Sequence, residues 1–285
     1  MNQRDEILQR TRTVTLLPNA VAQAIPLFQD PETPVTELAR VIECDPGLTS
    51  NVLRLANSAY YGRQRSISSV KDAIVHIGAQ SVFHTVMSAV MASFGDATMK
   101  GYGLPSDQLW EHSFAVAAGA SLFAEELGYD VSGAAHTAGQ LHDIGKVVLG
   151  SFVDVDVKPI EERAFKGEVS FEQAEREILG IDHAEVGAEL LERWNLPREI
   201  VEAVRWHHEP EQLDDDHRLI ADLVHVANSV CLIAGIGTGN DGLNYHMSQS
   251  ATARLKLTRK IIEEVACDIH LRLVEVRSWL NNQGR

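Results

Sequence analysis

The sequence predicts an all-α fold, and three observations carry that prediction. Apolar residues recur at helical spacing in widely separated segments. A helix-start signature opens one of them. Alternating strand patterns of useful length are missing, with Val153–Val157 (Val-Asp-Val-Asp-Val) the one short exception.

Taken in order, Leu48, Val52 and Leu55 follow at spacings of four and three, one face of a helix. Trp110-Glu-His-Ser113 falls on a second helix. An apolar helix beginning near Ser132 runs through Leu141-His-Asp-Ile-Gly-Lys146. Asp182, with Glu185 three residues later, reads as a capping box opening a helix through Val186, Leu190, Leu191 and Trp194. Asn195-Leu-Pro197 ends it, because proline rarely continues a helix and favours an extended residue before it. The next helix ends near His207-His208. Ile262, Val265, Ile269, Leu273, Val276 and Leu280 keep helical rhythm towards the C-terminus. Between Phe94 and Ser106 the periodicity is interrupted by Gly95, Asp96, Gly101, Gly103 and Pro105, which marks a boundary. The expected organisation is an N-terminal helical lobe over residues 1–100 packed on a helical core over 101–235. Residues 236–285 follow as a loop, rich in Gly, Asn and Ser through Ser250, and a C-terminal helix on the core.

The 285 residues, 45% hydrophobic and 23% charged, suffice for a sizeable core without disulfides or a structural metal. A metal here would therefore serve function before folding. Forty acidic against 25 basic residues give a formal charge of −15, which repels phosphate backbones and argues against direct nucleic-acid binding. Cys44, Cys231 and Cys267 form no CxxC pair, so neither a zinc ribbon nor a disulfide framework is expected, and a reducing cytoplasm fits. The N-terminal segment is too polar for a signal peptide, and the most apolar stretch, Leu223 to Ile236, is too short for a membrane span.

Of twelve histidines, five are placed where helices folding together would bring them to a common centre: His112, His142, His183, His207 and His208, with Asp143. A borderline divalent cation such as iron, manganese, nickel or zinc accepts neutral imidazoles with a carboxylate, as one ion or two. Such ions would activate water and polarise a phosphoryl oxygen, and Lys146, one turn after His142, would neutralise a phosphate. Singly, each residue has a blander explanation. A His-Asp dipeptide occurs by chance, and His207 and His208 would suit a helix C-terminus. Together they favour a metal site through the order they share with a known superfamily. His76, His84, His136, His217, His225, His246 and His270 fit no ligand pattern and are expected at the surface or as satisfied core residues.

Leu141-His-Asp-Ile-Gly-Lys146, with Glu111-His-Ser113 before it and Trp206-His-His-Glu209 after it, resembles the HD superfamily of metal-dependent phosphohydrolases. Upstream, Leu16-Leu-Pro18, Asp45-Pro-Gly-Leu-Thr49, Leu53-Arg-Leu-Ala-Asn-Ser-Ala59, Ser66-Ile-Ser-Ser-Val70 and Ala73-Ile-Val-His-Ile-Gly78 resemble the HDOD family. That resemblance spans roughly residues 10 to 235 and implies a helical N-terminal lobe on an HD-like helical core, with a signalling or regulatory role. It maps His112, His142, Asp143, His183, His207 and His208 onto metal ligands and Lys146 onto a lysine facing substrate phosphate, with Asp143 and Lys146 the catalytic candidates. The chain departs from the pattern at Ala227-Asn228, where the superfamily has Ala-Asp. Asn228 can ligate through its amide oxygen but lacks the charge, and Asp222 is a possible substitute. No Gly-Tyr-Pro element follows Pro210, so cyclic-di-GMP cleavage is not expected.

The function expected is a signalling protein with a His/Asp metal site and little or no catalysis, working through a protein partner. The alternatives are a phosphohydrolase on a nucleotide or other phosphate ester, and a metal- or redox-responsive sensor. Since no receiver, kinase or GGDEF-like segment is visible, input is expected from another chain or a phosphate-containing small ligand. Counting one carboxylate against four or five imidazoles, a second ion is expected to bind weakly or be absent, with the first held by His112, His142 and Asp143.

Overall fold

The structure, a computed structural model, describes residues 3–13, 17–58, 67–93, 102, 106–152, 158–167, 169–237, 239 and 245–281. Every regular element among them is helical. Val153–Val157 and most of the Phe94–Ser106 boundary lie outside the described residues. The chain forms two compact units. Met1–Val14, Phe94–Glu192 and Arg198–Arg285 make the larger; Thr15–Ser93 with Arg193–Pro197 make the smaller. The first helix, α1 (Gln3–Thr13), is part of the larger unit.

The smaller unit holds α2 (Asn19–Gln29), α3 (Val35–Glu43), α4 (Pro46–Ala56), α5 (Val70–Ile77) and α6 (Ala79–Ser93). Its centre is aliphatic, with Ile25, Ile42, Val52, Ile74 and Val86 all buried. Asp45 starts α4 by accepting from the Gly47 and Leu48 amides at 2.8 and 3.0 Å, and Pro46 fits the first turn. On α4 the buried face is Leu48, Val52 and Ala56, with Leu55 only half-buried at its edge. Asn57 then closes the segment. Its Nδ2 donates to the carbonyls of Leu53 and Ile67, and its Oδ1 accepts from the Ile67 amide, each at 2.8 Å. Within the Asp45–Ala59 run, Asp45 and Asn57 thus start one helix and anchor the approach to the next.

In the larger unit, α7 (Ser106–Glu126) lies against α8 (Ser132–Leu141) closely enough that a Cβ on Gly139 would stand 2.9 Å from the Ala117 Cα. The expected helix through His142 and Asp143 is in fact two. Helix α8 stops at Leu141, Asp143 takes φ −100° and ψ 9°, and a short α9 (Ile144–Val147) follows, running into a π-helical turn over Val148–Phe152. Then come α10 (Lys158–Gly167), α11 (Phe171–Leu179), α12 (His183–Arg193) and α13 (Arg198–Arg205). A 3-10 turn (Pro210–Gln212) leads to α14 (Asp215–Ile233), α15 (Gln249–Arg254) and α16 (Arg259–Asn281). Half of the expected capping box forms. Asp182 accepts from the Glu185 amide at 2.8 Å, but the Glu185 carboxylate pairs with Arg4 instead of turning back. Asn195, at φ 55°, supplies the left-handed residue that ends α12 two positions before Pro197. On α16, Val265, Ile269 and Leu273 are buried as the periodicity predicts; the side chains of Val276 and Leu280 are outside the described set. No single helix among the described residues is long and apolar enough to cross a membrane.

Asn57→Ala removes three hydrogen bonds and leaves the Ile67 amide without its partner, which should destabilise the smaller unit by about 2 kcal/mol. Urea unfolding checks it; a change within about 0.5 kcal/mol, the scatter of ordinary surface substitutions, would show the clamp to be dispensable.

Candidate metal centre

Each histidine is placed at a helix terminus or on a buried helical face. His112 lies on α7, His142 caps the end of α8, His183 opens α12, and His207 and His208 follow α13 after Trp206 rather than ending it. Asp143 connects them. Its Oδ2 lies 3.3 Å from His142 Nε2 and 3.8 Å from His112 Nε2, while Oδ1 lies 3.4 Å from His183 Nε2 and 4.0 Å from His207 Nε2. The ligand atoms therefore gather on two points instead of one. His112, His142 and Asp143 form one group, and His183, His207 and His208 the other.

The imidazoles are oriented for metal binding by what their other nitrogens do. A carbonyl can only accept, so a ring nitrogen facing one carries the proton. Nδ1 donates to Ile236 O from His112 at 2.9 Å, to Gly139 O from His142 at 2.7 Å and to Val204 O from His207 at 2.7 Å. His183 Nδ1 donates to the Glu175 carboxylate at 2.6 Å. Nε2 of the first three is left with its lone pair towards the centre, the outer hydrogen bond typical of ligating histidine. Three atoms there have no hydrogen-bond partner though buried: His142 Nε2, His207 Nε2 and Asp143 Oδ1. Buried orphans of that kind, two nitrogens and a carboxylate oxygen, suit a divalent cation. His183 Nε2 and His208 Nε2 stand 2.8 Å apart. An imidazolium would donate across that gap; two neutral ligands at right angles on one ion, each about 2.1 Å from it, would be about 3.0 Å apart.

Electrostatics separates the groups. Burial pushes His112 down to about 4, with the neighbouring His142 adding to it. Burial likewise holds His207 and His208 well below the ordinary range, helped by neighbouring histidines. Burial also opposes a charge on His183, but the Glu175 carboxylate outweighs it and lifts the group to about 10. For Asp143 burial alone would favour the acid; the neighbouring His142 and the Lys146 ammonium reverse that and keep it well below the usual carboxylate range. Lys146 donates to Asp143 Oδ2 at 2.7 Å and is almost fully buried.

One sequence expectation about the carboxylate is corrected. Asp222 is no substitute for Asn228, since Arg254 takes both its oxygens at 2.8 and 2.6 Å. Asn228 lies beside the first group, with Oδ1 3.0 Å from His112 Nε2 and Nδ2 donating to the Tyr245 hydroxyl at 3.1 Å. Two acceptors so close repel; a shared cation or a rotated amide relieves them. Tyr245 also meets His208 Nδ1. His225, expected to be inert, is a satisfied core residue: it donates to His207 O at 2.8 Å and accepts from the Ser248 amide at 2.9 Å.

Sequence reasoning missed Glu175, Tyr245 and Gly145. Glu175 had a visible signal, since Phe171, Ala174, Glu175 and Leu179 share the buried face of α11 and a glutamate there needs partners. Gly145 lies in Leu141-His-Asp-Ile-Gly-Lys146, and its place is steric: a Cβ would sit 1.8 Å from the His183 carbonyl oxygen. Nothing in the spacing points to Tyr245.

A helical unit that gathers five histidines around one buried aspartate defines an HD-type protein. The chain belongs to the HDOD domain family, whose model matches residues 14–210. It is similar to the crystal structure of an HDOD domain protein of unknown function from Geobacter sulfurreducens, with TM-score 0.71 and 25% identity over 96% of this chain and 97% of that one. It shares the fold of a candidate signal-transduction protein from Marinobacter aquaeolei VT8, with TM-score 0.75 and 22% identity over 100% of this chain and 62% of that one. Among curated proteins, an uncharacterized protein of Treponema pallidum is 24% identical over 227 residues, 78% of this chain and 43% of that protein. A ribonuclease Y of Thermus thermophilus is 34% identical over 120 residues, 42% of this chain and 16% of the enzyme. The chain thus spans less than half the length of either curated relative.

Gly145→Ala should force α9 from α12, separating Asp143 from His183, and cost about 3 kcal/mol or more. Metal content and thermal unfolding should fall together; an unchanged pair of values would refute the close-approach argument. A pH effect has a definite sign. Between pH 6.5 and about 4 the unfolded chain takes up a proton that folded His112 refuses, so acidification destabilises the native state. His183, protonated in the folded state throughout and in the unfolded chain only below about 6.5, offsets this in part above that pH and not below it. Chelator-treated protein should lose about 2 kcal/mol between pH 7 and 5 through His112 alone, read from urea midpoints; higher stability at pH 5 would contradict this.

Proposed function

We propose that this chain is a regulatory HDOD protein of signal transduction whose larger unit binds one or two divalent transition ions (iron, manganese, nickel or zinc) and turns over phosphoesters slowly or not at all. The observation that carries it is the donor set itself: five imidazoles around one ligating carboxylate, with neutral Asn228 beside His112. Such a set can hold a cation but gives it less negative charge than a second aspartate would. A bound ion would supply an acidified water and polarise a phosphoryl oxygen. What this chain offers beside it is limited. Lys146 directs its ammonium to Asp143, and Asn228 spends its amide on Tyr245. A cytoplasmic protein partner, with a phosphate-containing ligand as input, completes the reading.

The alternative is a metal-dependent phosphohydrolase acting on a nucleotide or phosphate ester. Lys146, so close to Asp143, favours it, because exchanging that carboxylate for an ion would leave an ammonium to face a phosphate. The formal charge of −15 weighs against nucleic acid as a bound partner. The likeness to a ribonuclease Y nonetheless puts RNA among the substrates to screen.

Elemental analysis of purified protein, followed by a phosphoesterase screen with the ion found, tests both. Bound transition metal is expected, with turnover at least about a hundred-fold below 1 s⁻¹, the low end for ordinary enzymes. Asn228→Asp adds a charge beside His112 and should tighten the ion at His112, His142 and Asp143, raising whatever rate exists. Robust wild-type hydrolysis that Asn228→Asp leaves unchanged would replace the regulatory reading with the hydrolytic one.

A further inference from the structure

The His183–His207–His208 group lacks a carboxylate of its own, since Asp143 presents only Oδ1 to it and gives Oδ2 to His142, His112 and Lys146. Behind His183, however, lies a fully buried acid. Glu175 Oε2 accepts from both the His183 amide, at 2.9 Å, and His183 Nδ1, at 2.6 Å, while Oε1 accepts from the Tyr102 hydroxyl at 2.6 Å. Three donors converge on two oxygens, an arrangement that matches a carboxylate. We infer that Glu175 is the anionic positioning residue of the second histidine group, fixing His183 with Nε2 towards the centre and raising that group's affinity for a divalent transition ion.

Two features separate this from a purely structural role. The start of α12 already has its cap in Asp182, so the contact to the ring nitrogen is one that helix capping does not require. No lysine or arginine among the described residues pairs with Glu175. Its neighbour Arg176 turns to Glu209, at 2.7 Å, and to Asp182, at 3.3 Å. The charge of Glu175 is therefore shared between His183 and the Tyr102 hydroxyl without a competing Lys or Arg, and a carboxylate hydrogen-bonded to a ligating histidine raises that ligand's basicity. The carboxylate missing at Asn228 belongs to the other group, so the second group, beyond the Asp143 carboxylate that both share, draws negative charge from Glu175 through His183.

The inference rests on the metal-binding reading above, and the test keeps the two apart. The full chain, stripped by chelator, is titrated with Co2+ while heat and visible d–d absorption are followed. Wild type should take up two ions. Glu175→Gln is isosteric and keeps an oxygen for His183, with its NH2 towards a hydroxyl that can accept. It should retain the first ion at unchanged affinity and bind the second about 10- to 100-fold more weakly. No uptake by wild type would sink the metal reading and this inference together. Uptake of one ion only, or two ions held equally well by Glu175→Gln, would overturn the inference and leave the metal reading standing. Loss of both ions in Glu175→Gln would make Glu175 a framework residue and also overturn it. Should that variant not fold, Tyr102→Phe removes a competing donor and leaves more carboxylate charge on His183. The second ion should then bind as tightly or more so, and weaker binding counts against the inference.

Discussion

The contact on which the site depends is the approach of the Asp143 turn to the first residue of α12. Gly145 lets the backbone of α9 come within reach of the His183 carbonyl, and only at that distance can one carboxylate face histidines from four helical segments. Without the glycine, His183 and its partners would be held away from Asp143, and the two ligand groups would lose the residue they share. The Leu141–Lys146 segment thus combines two kinds of requirement. His142, Asp143 and Lys146 are there for their chemistry, and Gly145 is there because nothing larger fits.

The electrostatics follows from that geometry. Buried imidazoles packed against one another resist protonation, whereas one backed by a carboxylate accepts it. Neutral rings with inward lone pairs and one charged ring beside them are a demanding set to enclose in protein, because each group is desolvated and every imbalance is felt at short range. A divalent cation resolves much of it, accepting lone pairs that no protein donor meets. Unpartnered buried polar atoms are costly to maintain, and a bound cation would relieve that cost here.

Much of this was legible in the sequence. Helical periodicity located the buried faces of α4, α12 and α16, and the histidines that the HD resemblance marked do meet in the structure. The failures have physical causes. The break between α8 and α9 was invisible because apolar residues continue across it, so periodicity carried the helix through His142. The division into two ligand groups depends on which oxygen of Asp143 faces which ring, a tertiary fact. Asp222 looked available because its partner, Arg254, lies 32 residues away on a separate helix. Glu175 was overlooked for a simpler reason: attention to histidines passed over an acid on an apolar face.

The main-chain acceptors behind the histidines have a consequence for how such a site persists. His142 and His207 are aligned by Gly139 O and Val204 O, carbonyls in the last turns of α8 and α13. Helix termini leave such carbonyls without an intrahelical partner, so each imidazole completes a helix end while the helix end chooses its tautomer. No side-chain replacement can delete a carbonyl. The orientation of these two ligands is therefore inherited with the fold, and a lineage that exchanged a histidine for something inert would keep the socket that aims it, ready for the residue to return.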